Sequence, residues 1–146
     1  MQERMRMDKV APDGYRKVVE LFQYTEANVD PKLLELIMLR ASVVNGCAFC
    51  VDMHSVDAIK AGESTRRLFA VSAWPESPFF SDEERVALAL TDAVTKISEG
   101  GIPNMLWEAA LEIWSDKEVA DIVMAAIMIN SFNRIAISTH QQPAAL

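Results

Sequence analysis

Helix start and stop signals recur from one end of this sequence to the other, and no stretch alternates apolar and polar residues as a half-buried strand would. Pro12 and Asp13 open a segment whose apolar stripe is Val18, Val19, Leu21 and Phe22. Asp30 followed by Pro31 pairs an N-cap with proline at the first helical position, and it launches KLLELIMLRASVV. Asn45-Gly46 then supplies residues that tolerate a left-handed helix stop. A helix is predicted from about Cys47 to Gly62, and a short one from Ser64 to about Ser72. Trp74-Pro75-Glu76-Ser77-Pro78 reads as a loop, because proline twice removes a donor and disfavours helix before it. Ser81 and Glu84 form a capping box for a helix reaching about Glu99, which Gly100-Gly101 ends; Pro103 opens the next. Ser115 and Glu118 form a second capping box, starting a long apolar helix that ends near His140. The expectation is a compact all-α fold in a single domain over residues 1–146, with 1–11 as an N-terminal tail.

Length and composition agree. A chain of 146 residues, 51% hydrophobic and 24% charged, can enclose one core. The net charge of −7 repels phosphate backbones and anionic lipid, so no nucleic-acid or membrane partner is expected. The opening MQERMRMDKV lacks the apolar run of a signal peptide. The longest apolar stretch, Val119 to Ile137, is interrupted by Asp121, Asn130, Asn133 and Arg134. Those interruptions point to a helix buried in a core or subunit interface rather than in a membrane, and to a cytoplasmic protein.

The two cysteines, Cys47 and Cys50, stand three residues apart. A bridge between them closes almost no loop and would restrict the unfolded chain very little, so stability is a poor reason for the pair. A reactive role in a reducing compartment is a better one.

The stretch NGCAFCVDMH adds His54. On a helix Cys47 and Cys50 are at i, i+3 and Cys50 and His54 at i, i+4, so all three face one way. Cys47 would sit in the first turn after Gly46, where unpaired N–H groups and the helix dipole stabilise a thiolate. A nearby imidazole can take the thiol proton. Glu35 is the only charged residue in Leu33-Leu34-Glu35-Leu36-Ile37-Met38-Leu39. On one straight helix it would stand roughly 18 Å from Cys47. A reversal at Asn45-Gly46 makes an antiparallel helical hairpin instead and brings Glu35 level with His54. The geometry then suggests a relay from Glu35 to His54 to Cys50.

LLELIMLRASVVNGCAFCVDMH resembles the signature of the alkyl hydroperoxidase AhpD-like branch of the carboxymuconolactone decarboxylase family. The shared pattern is a glutamate twelve residues before a CxxC and a histidine four residues after its second cysteine. The strong match covers about residues 31–60, and a weaker one extends to Asn133-Arg134-Ile135-Ala136. The resemblance implies an all-α fold, assembly as a homotrimer or homohexamer, and thiol-dependent reduction of organic hydroperoxide or hydrogen peroxide, with no cofactor. It also implies Cys50 as the peroxide-attacking thiol, relayed by His54 and Glu35, and Cys47 as the resolving thiol. The residues between the cysteines are Ala48 and Phe49, where AhpD itself carries a histidine; that departure counts against carrying over its lipoyl-linked donor or its peroxidase rate. Without a GxGxxG or GxxxxGK[ST] motif, electrons are expected from another thiol, a lipoyl group or a peroxiredoxin-type partner.

Other readings compete. Zinc held by Cys47, Cys50, His54 and Glu35 ranks second, because structural zinc sites draw pairs from two knuckles and no second knuckle exists here. Lactone decarboxylation, which the family name suggests, needs no redox thiols. Glu35 could instead be an ion-pair partner of Arg40 or Arg134. His140 is taken as non-functional, and Asp52 and Asp57 as a solvated helix face. Met124, Ile127, Met128 and Phe132 read as core or interface. Trp74, Trp107 and Trp114 have the same default, with the option of walling an apolar pocket.

Overall fold

Asp30 fixes where the central helix begins. Its carboxylate accepts hydrogen bonds from the backbone N–H groups of Lys32 and Leu33, as the Asp-Pro pair predicts. A computed structural model describes residues 2–145 and contains eight α-helices and no strand among them. These are α1 (Met7–Val10), α2 (Pro12–Asn28), α3 (Pro31–Asn45), α4 (Ala48–Lys60), α5 (Thr65–Ala70), α6 (Asp82–Thr95), α7 (Asn104–Ile113) and α8 (Asp116–Thr139). Ahead of α2, the backbone N–H of Arg4 donates to the Thr139 carbonyl, tying this segment to the end of α8.

α3 is apolar around most of its circumference because it is packed on two sides. Leu34, Ile37, Met38 and Ala41 join Leu90 of α6 and Val119, Ile122, Ala125, Ala126, Met128 and Ile129 of α8 in one buried cluster. Leu36 and Leu39 face a second cluster with Ala58, Leu68, Val71, Phe80 and Leu88. Each of the buried Val, Leu, Ile, Met and Phe side chains contributes roughly 1.5–3 kcal/mol of transfer free energy. α8 is long and apolar enough to cross a membrane by length and composition. Here it serves as a core helix, packed against α2, α3, α4 and α6.

Gly46 makes the hairpin. It takes φ +69° and ψ 34°, the left-handed conformation that glycine adopts at no steric cost, and α4 returns along α3. Both capping boxes form, at Ser81–Glu84 and at Ser115–Glu118. Three boundaries differ from expectation. Cys47 is the N-cap of α4 rather than part of its first turn. α6 stops at Thr95, where the Thr95 hydroxyl accepts a hydrogen bond from Asn130, and a 3-10 turn over Ile97–Glu99 finishes the approach to Gly100. The expected loop at Trp74 begins inside a 3-10 helix, Val71–Glu76. Arg85 donates to the carbonyls of Trp74, Pro75 and Ser77, partnering acceptors that a proline-broken segment leaves over.

Candidate active site

The turn between α3 and α4 positions the cysteines. The Cys47 N–H donates to the Ser42 carbonyl at 2.9 Å, and the Cys47 sulfur caps α4 by accepting the Cys50 N–H at 3.4 Å. The two sulfurs are 2.6 Å apart, and each residue is only 1% exposed. They pack with Ala136 of α8 and with Phe49.

This arrangement divides the pair electrostatically. Hydrogen bonding from the Cys50 thiol and backbone N–H lowers the Cys47 pKa to about 7 against the cost of burial, with smaller contributions from Asn133 and the His54 charge. The same shared proton, together with burial, raises the Cys50 pKa far above the ordinary thiol value. In the dithiol form the pair therefore carries one proton and one negative charge just above neutrality. A titration of thiolate ultraviolet absorbance is expected to show one equivalent forming near neutral pH and the second absent below strongly alkaline pH. Two equivalents rising together near pH 8.5, the ordinary thiol value, would contradict this division.

His54 lies one helical turn beyond Cys50 and is buried. Its Nδ1 stands 3.2 Å from Glu35 Oε2 across the hairpin. A carboxylate only accepts, so Nδ1 carries the hydrogen, and whenever the ring is neutral Nε2 is the nitrogen with the free lone pair. Glu35 thus meets His54 and neither arginine. Arg40 pairs with Asp92, and Arg134 donates to Asn130.

Cys50, His54 and Glu35 share the wall of one cavity of about 460 Å³. Tyr15, Val19 and Phe22 of α2, Met38 of α3, Phe49 and Met53 of α4, and Met128, Ile129, Phe132 and Ile135 of α8 line it. Cys47 is not among the lining residues; it lies behind Cys50. The cavity also settles what three sequence expectations look like in space. None of the tryptophans walls the cavity: Trp74 donates to Asp92, Trp114 packs against the main core, and Trp107 is partly exposed. Met128 and Phe132 belong to the core, as read from sequence, and line the cavity as well. Asp57, placed on a solvated face, is exposed and also borders the cavity, with Glu26. His140 is a helix stop, holding φ +57° with its N–H bonded to the last carbonyls of α8.

Asn133 is a site residue the sequence reading did not single out. It is fully buried and bonded to Ser42 and Asn45 beside the thiols. Its signal was available, since a buried helix seldom carries amides without partners. The zinc reading finds no support in the geometry: among the described residues no three His, Cys, Asp or Glu side chains converge as a ligand set.

The profile of the carboxymuconolactone decarboxylase family matches residues 12–93, a span that contains Glu35, Cys47, Cys50 and His54. The chain is 36% identical to the uncharacterized protein YdfG of Bacillus subtilis over 145 residues, 99% of both chains. It superposes at TM-score 0.96 and 37% identity on a protein of unknown function from Agrobacterium tumefaciens, proposed to be the antioxidant defence protein AhpD, covering 99% of this chain and 100% of that one. The debrominase Bmp8 shares the fold at TM-score 0.80 and 21% identity, over 92% of this chain and 73% of that one.

Proposed function

The chain belongs to the carboxymuconolactone decarboxylase family, in its AhpD-like branch, and from that premise we propose that it is a dithiol peroxidase that reduces organic hydroperoxides. One observation carries the reading: Cys50 is in the wall of an apolar cavity beside the His54–Glu35 pair, with Cys47 directly behind it. Aromatic and aliphatic side chains suit the organic group of a hydroperoxide, and the carboxylates Glu26, Glu35 and Asp57 at the same cavity disfavour an anionic one.

The chemistry balances with these residues. The Cys50 proton moves to His54 Nε2 or across to Cys47, leaving a Cys50 thiolate. That thiolate attacks the terminal oxygen of the hydroperoxide, and the O–O bond breaks. The departing alkoxide takes a proton and leaves as the alcohol, with Cys50 as sulfenic acid. Cys47, as thiolate, attacks the Cys50 sulfur; hydroxide leaves, is protonated to water, and a disulfide remains. A dithiol, lipoyl or peroxiredoxin-type partner returns two electrons and two protons. Assembly as a homotrimer or homohexamer belongs to the same proposal, and the exposed apolar side chains Val56, Ile59 and Phe69 support it.

The test is a free-thiol count before and after one equivalent of cumene hydroperoxide. Loss of both thiols, reversed by a dithiol reductant, is expected. Glu35→Gln should slow this loss by about 10²-fold, because the imidazole loses its orienting charge. Unreactive thiols, or decarboxylation of a muconolactone that survives alkylation of both cysteines, would overturn the proposal.

A further inference from the structure

A chain of amides runs from the protein surface inward to Asn133 on α8, and its direction is fixed at one end. Arg134 is exposed and can only donate; its Nη1 donates to Asn130 Oδ1 at 2.8 Å. That makes the other side of Asn130 the donor, and its Nδ2 gives hydrogens to Thr95 Oγ1 and the Ala126 carbonyl, both at 2.9 Å. Asn45 must then approach Asn130 Oδ1 with its own Nδ2, which it does at 3.0 Å. The second Asn45 hydrogen goes to Asn133 Oδ1 at 2.8 Å. The Asn133 amide cannot flip without setting donor against donor. Its Nδ2 is turned inward, where one hydrogen goes to Ser42 Oγ at 3.0 Å. The Ser42 hydroxyl hydrogen is already committed to the Met38 carbonyl, so Ser42 accepts.

One Asn133 hydrogen remains, on a side chain with no exposed surface. Asn133 lies one turn before Ala136, which packs against both cysteines, so the amide is on the face of α8 that meets the thiols.

We propose that Asn133 is a positioning residue for the thiol pair: its second amide hydrogen, aimed by the Arg134–Asn130–Asn45 chain, points at Cys47 and Cys50 and holds the pair in its singly ionised form. An N–H directed at a negative sulfur stabilises that charge where water cannot. Consistently, Asn133 lowers the pKa of both thiols. The other titratable groups near the pair are Tyr15 and Glu26 of α2, Glu35 of α3, and His54 and Asp57 of α4, all bordering the cavity on the Cys50 side. Apart from His54, whose charge favours the thiolate, they supply no positive charge there.

The experiment measures thiol acidity without peroxide, by the pH dependence of iodoacetamide alkylation in the reduced protein. Asn133→Leu keeps the volume and removes the donor. It is expected to leave about tenfold less thiolate at neutral pH. Arg134→Met changes an exposed residue, is expected to fold, and should shift the same profile in the same direction by less. A folded Asn133→Leu protein with an unmoved profile would overturn the proposal. If that variant does not fold, an unmoved profile in Arg134→Met overturns it instead. Should the wild-type thiols ignore hydroperoxide while both variants shift the profile, the peroxidase reading falls and this inference stands.

Discussion

Cys50→Ser is expected to reduce hydroperoxide consumption by on the order of 10³-fold or more, because it removes the one thiol among the residues that line the cavity. Cys47→Ser is expected to behave differently. It leaves the attacking sulfur in place and removes its partner, so each chain should consume one equivalent of hydroperoxide and stop as a Cys50 sulfenic acid that a cyclic 1,3-diketone traps. The contrast matters because position and acidity favour different cysteines. Cys47 has its pKa lowered to about 7, whereas Cys50 holds the proton and meets the cavity. The two sulfurs are adjacent, so a proton can pass between them, and the site needs only one acidic thiol to supply a nucleophile at either. Access then decides which sulfur attacks, and the acidic Cys47 is already ionised for the resolving step. A trapped sulfenic acid at Cys47 in Cys50→Ser, with a silent Cys47→Ser, would show that acidity decides and would reverse the two roles.

The parts of this site that could be read from sequence are those fixed by local chemistry. The Asp30 cap, the Gly46 stop and the two capping boxes each depend on residues within four positions, and they set the helical hairpin. Once the hairpin exists, the meeting of Glu35 and His54 follows from counting residues on either side of Gly46. The cavity wall was not legible in this way. Tyr15, Phe22 and Phe132 come from α2 and α8, and their helical periodicity says that a face is buried without saying against what. The tryptophans, for which walling a pocket is an option beside the core default, are committed elsewhere: Trp74 is bound to Asp92 through its indole N–H. Asn130 and Asn133 argued against a membrane helix, yet their partners Ser42, Asn45 and Thr95 lie 35 to 91 residues away. The 3-10 helix around Pro75 depends likewise on Arg85, eight to eleven positions downstream.

Asp92→Ala is expected to cause a large loss of stability although Asp92 lies outside both the thiol site and the apolar core. Arg40 Nε and Nη2 form a two-point pair with the Asp92 carboxylate at 2.6 and 2.9 Å, and the arginine side chain is only 12% exposed. Its Nη1 donates to the carbonyls of Val71 and Ser72, and the Trp74 indole N–H donates to Asp92 Oδ2 at 3.0 Å. One carboxylate thus ties α3, α6 and the Val71–Glu76 segment together. Its removal strands a mostly buried guanidinium and an indole N–H at once, which costs about 3 kcal/mol, the lower end for a broken buried pair because Asp92 is partly solvated. For a chain of this size the Tm should fall by about 6–12 °C. The cost comes from the stranded charge and not from the loss of an attraction worth that much. The double variant Arg40→Met with Asp92→Leu should therefore recover part of the loss, since no charge is left behind. Thermal denaturation of the three proteins decides the matter. A Tm for Asp92→Ala within about 1 °C of wild type would mean that water reaches Arg40 freely. A double variant less stable than Asp92→Ala would mean that the pair itself, rather than the avoidance of an orphaned charge, holds α3 against α6.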